Sequence, residues 1–457
     1  MKKMRYYAAL WISKASQLLM KFLGRNATYL PGKVAVKICK DFLAHIQPPK
    51  TVIAVTGTNG KTTVSNLLTS ILTSNGYSVT NNSFGSNIQA GVISALIQDT
   101  TLYGKPQNDI AILEVDERSS LLIYPYLTPD YMICTNIMRD SIKRNANTEF
   151  ISYIINSALP TSTKLVLNAD DLIASSLGCE TQARVFFGIE AEKPTKNVKQ
   201  HVRDIVYCPK CGASLEAEYI RYNHIGRLQC PACGYASPQP DYSVTEIDRE
   251  NGTFTVCHHG QNNTFTLIND NIVNIYNFSA VIALLNEMGL TYEQIAKGFS
   301  QTTIVKTRLD EFTAGDLHVT MIMAKGQNPI ACARCYDYVA KASGQNKGMI
   351  LIVDDVADNI GNSETTCWLY DCDYSPLADP SIRQIIFGGP RCKDHYLRAQ
   401  LAGVSADKIK ITENSADAAS LFDPNLSKNV FVLHELFRVS DANNIKRVLT
   451  EYGTKEG

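Results

Sequence analysis

Apolar residues recur along the chain in two rhythms. Thr51-Val-Ile-Ala-Val-Thr56 is a short β-branched run of the kind that forms a buried strand. Beyond the next seven residues, Val64, Leu67, Leu68, Ile71 and Leu72 fall at i, i+3, i+4, i+7 and i+8, one face of a helix. Ala111-Ile-Leu-Glu-Val-Asp-Glu117 is a further apolar strand that ends in acids. From about Lys306 the pattern restarts. Apolar runs at His318–Met323, Met349–Val353, Gln384–Phe387 and Asn429–Leu433 alternate with helical stretches such as Ile330–Ala342. This alternation predicts an α/β chain with a second, smaller α/β unit at its C-terminal end.

The first 26 residues pattern differently. Apolar patches at Ala8–Ile12, Leu18–Met20 and Phe22–Leu23 are broken by Lys14 and Lys21. No run reaches the ~18–20 residues of a membrane span. The apolar core is too short for a secretory signal, and no small-residue cleavage site follows it. The expected element is an amphipathic helix packed on the first domain. The alternative is a helix resting on the inner membrane face.

Composition narrows the class. The 457 residues carry 44 Lys+Arg and 44 Asp+Glu, which argues against a general polyanion binder but leaves room for a local phosphate site. With 45% hydrophobic residues, dominant disorder is excluded. Thirteen cysteines cannot all pair within the chain, and their low density suits a reducing cytoplasm.

Gly57-Thr58-Asn59-Gly60-Lys61-Thr62-Thr63 joins the first strand to the first amphipathic helix, as a phosphate loop requires. The glycines let backbone N–H groups curl around an anion at a helix N-terminus. Lys61 would reach the terminal phosphates of a bound nucleotide, and the Thr62 hydroxyl would ligate Mg²⁺. A glycine turn that merely opens a helix leaves Lys61-Thr62-Thr63 unexplained. Cys208-Pro-Lys-Cys211-Gly and Cys230-Pro-Ala-Cys233-Gly are two knuckles at the spacing of a zinc site. Four thiolates leave no open position for water, so the Zn²⁺ would be structural.

The loop departs from G-x-x-x-x-G-K-[ST], since Val55 stands where the first glycine is wanted. T-G-T-N-G-K-T-T instead resembles the Mur ligase superfamily, which uses ATP to activate a carboxylate as an acyl phosphate. Glu114 matches that family's metal-binding glutamate and Asn168-Ala-Asp-Asp171 its L-N-A-D-D turn. Asn274-Ile-Tyr-Asn277 resembles its adenine-side segment. Thr307-Arg308-Leu-Asp-Glu stands at its hinge, where the resemblance implies that Arg308 contacts nucleotide phosphate. The zinc ribbon, Asn82-Ser-Phe-Gly-Ser-Asn87 and Thr135-Asn-Ile-Met-Arg-Asp140 narrow the likeness to the MurT family, the synthetase subunits of lipid II isoglutaminyl synthases.

That resemblance implies a Mur-ligase-like P-loop ATPase domain at 51–305 with the ribbon inserted at 203–238. An N-terminal helical segment (1–50) would precede it, and a Rossmann-like C-terminal domain (306–457) would follow. It implies amidation of the D-glutamate α-carboxylate of the lipid II stem peptide by ammonia from a GatD-type glutaminase. The chain would be cytoplasmic, with peripheral association to the inner membrane face left open. Family members lend an aspartate to the partner's Cys-His pair, and Asp358, then Asp371, stand at matching places. The spacing there is irregular, because Thr365 and Glu364 replace the middle acid. Two rivals are a stand-alone amino-acid ligase of the Mur or folylpolyglutamate synthase type and a zinc-ribbon ATPase that binds nucleic acid. The ribbon's Lys210, Arg221 and Arg227 do not form the basic, aromatic-laced stripe the latter needs.

Overall fold

β1 (Thr51–Thr56) is buried at every position but its first, and it lies between two parallel neighbours, β3 (Ile110–Glu114) and β4 (Tyr131–Cys134). The computed structural model describes residues 2–82, 86–140, 145, 147–194, 203–302, 309–324, 326, 328–354, 366–435 and 438–454. They group into two compact units. The first comprises residues 1–139, 147–198 and 203–304; the second comprises 305–457 with two short stretches at 140–146 and 199–202.

The first unit is built on a nine-stranded sheet. Its remaining strands are β2 (Val79–Asn81), β5 (Lys164–Asn168), β6 (Arg184–Ile189), β9 (Tyr242–Asp248), β10 (Thr253–His258) and β11 (Gln261–Thr266), in the order β11-β10-β9-β6-β5-β4-β1-β3-β2. The strands from β9 to β2 run parallel, and β10 and β11 add an antiparallel edge. Sequential strands lie on both sides of β1, so the loops after β1, β3, β4 and β5 converge at one carboxyl edge. That is where open α/β sheets bind ligands.

α1 (Lys2–Phe22), α2 (Leu30–Ile38) and α4 (Gln89–Asp99) pack together on this body, with Tyr6, Ala9, Leu10, Ala35, Val92 and Leu96 in one core cluster. Gly32 is required there, because a Cβ at this position would lie 1.9 Å from the Ala90 carbonyl oxygen. Between β6 and β9 the chain leaves the sheet to form a separate hairpin, β7 (Glu216–Tyr222) and β8 (Ile225–Gln229).

The second unit has a six-stranded sheet. Its strands are β12 (Leu309–Ala314), β13 (Leu317–Met323), β14 (Lys347–Ile352), β15 (Ile382–Gly388), β16 (Ile409–Thr412) and β17 (Asn429–His434), in the order β12-β13-β17-β14-β15-β16. All but the antiparallel edge strand β12 are parallel. Four of these strands overlay the apolar runs read from the sequence. The short β16 and the half-exposed β12 have no such run. Cys332 is wholly buried in this core on the helix Pro329–Lys341, with Cys335 packed against it. No helix among the described residues is long and apolar enough to cross a membrane.

Candidate functional site

Local backbone geometry explains the loop sequence. Gly57 and Gly60 adopt φ of 120° and 94°, a region that favours glycine. Space demands them as well. A Cβ on Gly57 would sit 2.3 Å from Thr135 Oγ1, and one on Gly60 would sit 2.4 Å from Asn277 Oδ1. Asn277 therefore presses on the loop from the helix Ile272–Glu287, where it is buried. α3 (Lys61–Ser74) begins at once, with Val64, Leu67, Leu68, Ile71 and Leu72 buried as the pattern predicts.

Partners from the segment just after β4 brace the loop. Thr58 N donates to Asn136 O (2.9 Å), Asn59 N to Asn136 Oδ1 (3.1 Å), and Thr135 Oγ1 to Asn59 O (2.6 Å). Thr58 Oγ1 donates to Met138 O (3.0 Å). Lys61 Nζ donates to Gly57 O and pairs with Glu117 Oε1 at 3.2 Å. Thr62 Oγ1 donates to Glu114 Oε2 at 3.1 Å, while Glu114 Oε1 is buried without a hydrogen-bond partner among the described residues. Burial pushes the Glu114 carboxyl above its ordinary value, against the pull of the Thr62 hydroxyl and the Lys61 charge. A buried, unsatisfied carboxylate oxygen beside a hydroxyl at the end of a phosphate loop is a donor set that suits Mg²⁺. The Asn82 side chain pins the end of β3 by accepting from Glu114 N (2.7 Å) and donating to Glu114 O (2.9 Å).

The four ribbon cysteines converge. Their Sγ atoms lie within 4.8 Å of one another, with Cys208–Cys233 at 3.6 Å and Cys211–Cys230 at 3.5 Å. A tetrahedron with ~2.3 Å metal–sulfur bonds has edges of about 3.8 Å, so the thiols are placed to share one ion. Each knuckle closes on a left-handed glycine, Gly212 or Gly234, both at φ 75°.

A family model described as Mur ligase middle domain matches residues 55–228, and one described as MurT ligase C-terminal matches residues 326–435. The chain is 30% identical over 413 residues to the lipid II isoglutaminyl synthase (glutamine-hydrolyzing) subunit MurT of Staphylococcus aureus strain COL, covering 89% of this chain and 90% of that protein. The chain belongs to the MurT family. A second relative, the MurT subunit of Streptococcus pneumoniae, is 28% identical over 92% of both chains. Among solved structures, a pseudomurein peptide ligase type C from Methanothermus fervidus shares the fold at 20% identity and a TM-score of 0.67, over 90% of this chain and 81% of that one. A MurF ligase from Thermotoga maritima in complex with ADP does so at 13% identity and a TM-score of 0.58, over 93% and 85%.

Within this MurT-family chain, two further motif residues have identifiable places. Arg139 Nε donates to the buried Asp204 Oδ1 (2.6 Å), so this basic group is tied to the segment leading into the ribbon. Asp371 ends the helix Cys367–Asp371 and is half-buried in the second unit. Arg308 and Asp358 lie outside the described residues. His434, unassigned by sequence, is buried at the end of β17, with Nδ1 3.2 Å from Glu435 O.

The sequence reading missed Glu117 as a partner of Lys61, and Thr135-Asn136 as the wall of the loop. The signal was present, since both segments directly follow apolar strands. By sequence, the four cysteines already saturate the ion and leave His224 no place among its ligands. His224 lies between the knuckles but does not join the cysteines. Its Nε2 is 3.0 Å from Asp171 Oδ1 and its Nδ1 is 3.5 Å from Asp204 Oδ2, all three wholly buried. Burial alone would lower its pKa, but Asp171 and Asp204 raise it to about 9. Burial likewise opposes the charged form of Asp204, yet His224, Arg139 and Asn223 hold it down to about 2.

The imidazolium is therefore favoured in the folded state. Its contribution is complete below the ordinary histidine value of ~6.5 and is lost as pH rises through about 9. In urea titrations, raising the pH across that window is expected to remove about 3 kcal/mol of stability. His224→Gln should flatten this slope. An unchanged slope in the variant would remove His224 as its source.

Proposed function

We propose that this chain is the ATP-dependent ligase subunit of a glutamine-hydrolysing lipid II isoglutaminyl synthase. It would amidate the α-carboxylate of D-glutamate in the lipid II stem peptide, giving D-isoglutamine for peptidoglycan synthesis. The observation that carries this reading is a phosphate loop whose Thr62 meets the buried Glu114 at the end of β3 and whose Lys61 meets the buried Glu117 just beyond it, on a chain of the MurT family.

Backbone amides of residues 57–62 and the α3 N-terminus would position the phosphates, and Lys61 would neutralise developing charge. Thr62 and Glu114 would hold Mg²⁺, Asn277 would stand on the adenine side, and Arg308 would meet the phosphates from the hinge. Bound MgATP would supply the γ-phosphoryl group to the substrate carboxylate, with ADP leaving, and ammonia would displace inorganic phosphate from the resulting acyl phosphate to form the amide. Cys208, Cys211, Cys230 and Cys233 would hold a structural Zn²⁺. We place the chain in the cytoplasm, at the inner membrane face where its lipid-linked substrate is exposed.

The ammonia would come from a GatD-type subunit. Cys134, Cys332 and Cys372 of this chain are wholly buried, and burial pushes their thiols well above the ordinary range, unlike a nucleophilic thiolate. The test is co-expression with a glutaminase subunit, followed by mass analysis of lipid II incubated with ATP and glutamine. A single carboxyl-to-amide change is expected. Incorporation of an amino acid instead would favour the stand-alone ligase.

Asp358 is proposed as the acid that orients the partner's histidine, with Asp371 next. Asp358→Asn should abolish glutamine-dependent amidation while ammonium-dependent amidation continues. Equal loss of both would reject that role. Glu114→Gln should cost about 10²-fold or more in turnover and raise the Mg²⁺ requirement. Normal Mg²⁺ dependence would remove Glu114 from the metal site.

A further inference from the structure

α1 has two apolar faces. Tyr6, Ala9, Leu10, Ser13 and Gln17 are buried against the body. On the opposite side Met4, Trp11, Ile12, Leu18, Leu19 and Phe22 point outward, with Phe22 89%, Leu18 70% and Trp11 54% exposed. At 100° per residue, Met4, Trp11, Leu18 and Phe22 share one narrow stripe along a helix of about 31 Å. The lysines that interrupt the linear pattern lie off this stripe, and Lys14 Nζ turns inward to donate to Ile97 O (2.8 Å). The Thr101–Lys105 turn extends the surface. Trp11 Nε1 donates to Leu102 O (3.0 Å), and the side chains of Leu102 and Tyr103 are themselves exposed.

Charge identifies the occupant. Residues 1–40 contain nine Lys and Arg and no Asp or Glu, within a chain whose formal charge is zero. Lys3, Arg5, Lys21 and Arg25 are exposed beside the apolar stripe. A second copy of this surface would meet it with like charge. An anionic bilayer matches both features, since apolar side chains enter the acyl boundary while basic groups stay among lipid headgroups.

We propose that the outward face of α1 is a peripheral docking surface for anionic lipid. It gives the membrane association named above a physical basis, but it rests on α1 alone. The experiment therefore omits nucleotide and lipid II, so its outcome is independent of the ligase reading.

The full chain is sedimented with vesicles of phosphatidylcholine alone or containing phosphatidylglycerol. Binding is expected only with the anionic vesicles, falling at least tenfold at high salt, where Debye screening is short. Met4→Ser/Leu18→Ser/Phe22→Ser should lower binding at least tenfold without lowering the unfolding midpoint, because these side chains face solvent. Lys3→Gln/Arg5→Gln/Lys21→Gln/Arg25→Gln should lower it separately. Absence of vesicle binding overturns the proposal, as does binding that neither variant changes. A concentration-dependent dimer lost in the serine variant, without vesicle binding, assigns the face to a second copy and overturns it too.

Discussion

Lys61→Ala is expected to lower ATP-dependent amidation by about 10³-fold or more, the scale of a lost charge-stabilising group in transfer chemistry. Lys61 is the loop's one cation, and its ammonium is held by Gly57 O and by Glu117. The Glu117 side chain is only 3% exposed, so alanine at 61 removes a countercharge from a buried carboxylate. Removing one member of a buried ion pair costs stability on the order of 3 kcal/mol. Loss of activity in the single variant therefore mixes two effects. Lys61→Ala/Glu117→Gln separates them, because it neutralises the Glu117 side of the pair as well while still lacking the phosphate contact. Its unfolding midpoint should return toward the parent's while amidation stays lost. Recovery of turnover in the double variant would sink the phosphate-loop assignment.

The second large effect concerns the ribbon. One zinc ion per chain is expected, and Cys208→Ser or Cys230→Ser should release it. A two-stranded hairpin such as β7–β8 is marginal alone in water, and metal binding contributes folding energy of about 10 kcal/mol or more in zinc-finger peptides. The consequence should reach the loop edge of the sheet. Gly226 N donates to Asp170 O (2.7 Å), Arg227 lies 3.6 Å from Asp170, and His224 meets Asp171, so the hairpin binds both aspartates of the Asn168–Asp171 turn. That turn adjoins the loop's wall, since Asp171 Oδ2 accepts from Ile137 N (2.7 Å) and Asn168 Nδ2 donates to Thr135 O (3.1 Å). Zinc-free protein should thus lose ATP turnover along with ribbon structure. Zinc content by elemental analysis, with unfolding midpoints before and after chelation, checks this. Full stability and activity in metal-free protein would contradict it.

Contiguous motifs were legible in the sequence because their geometry is local. Gly57–Thr63 encodes its own turn through two glycines that only a left-handed or crowded backbone requires, and it starts a helix whose face is set by the spacing of five apolar residues. Each Cys-x-x-Cys-Gly likewise carries its own knuckle, so the meeting of four thiols followed from two short segments. β1, β3, β13, β14, β15 and β17 were visible as apolar runs because they are largely buried. β12 and β16 were not, because edge strands exposed on one side carry no continuous apolar signal.

What the tertiary structure alone decided are the partners that come from distant segments. Glu117 on Lys61, Asn136 on the loop amides, Asn277 against Gly60 and His224 between two aspartates all depend on strand order. Strand order arises from the packing of the whole sheet and leaves no periodic trace in the chain. The same holds for α1. Its sequence is apolar enough for two faces, but only packing against α2 and α4 determines which one is buried and which remains open.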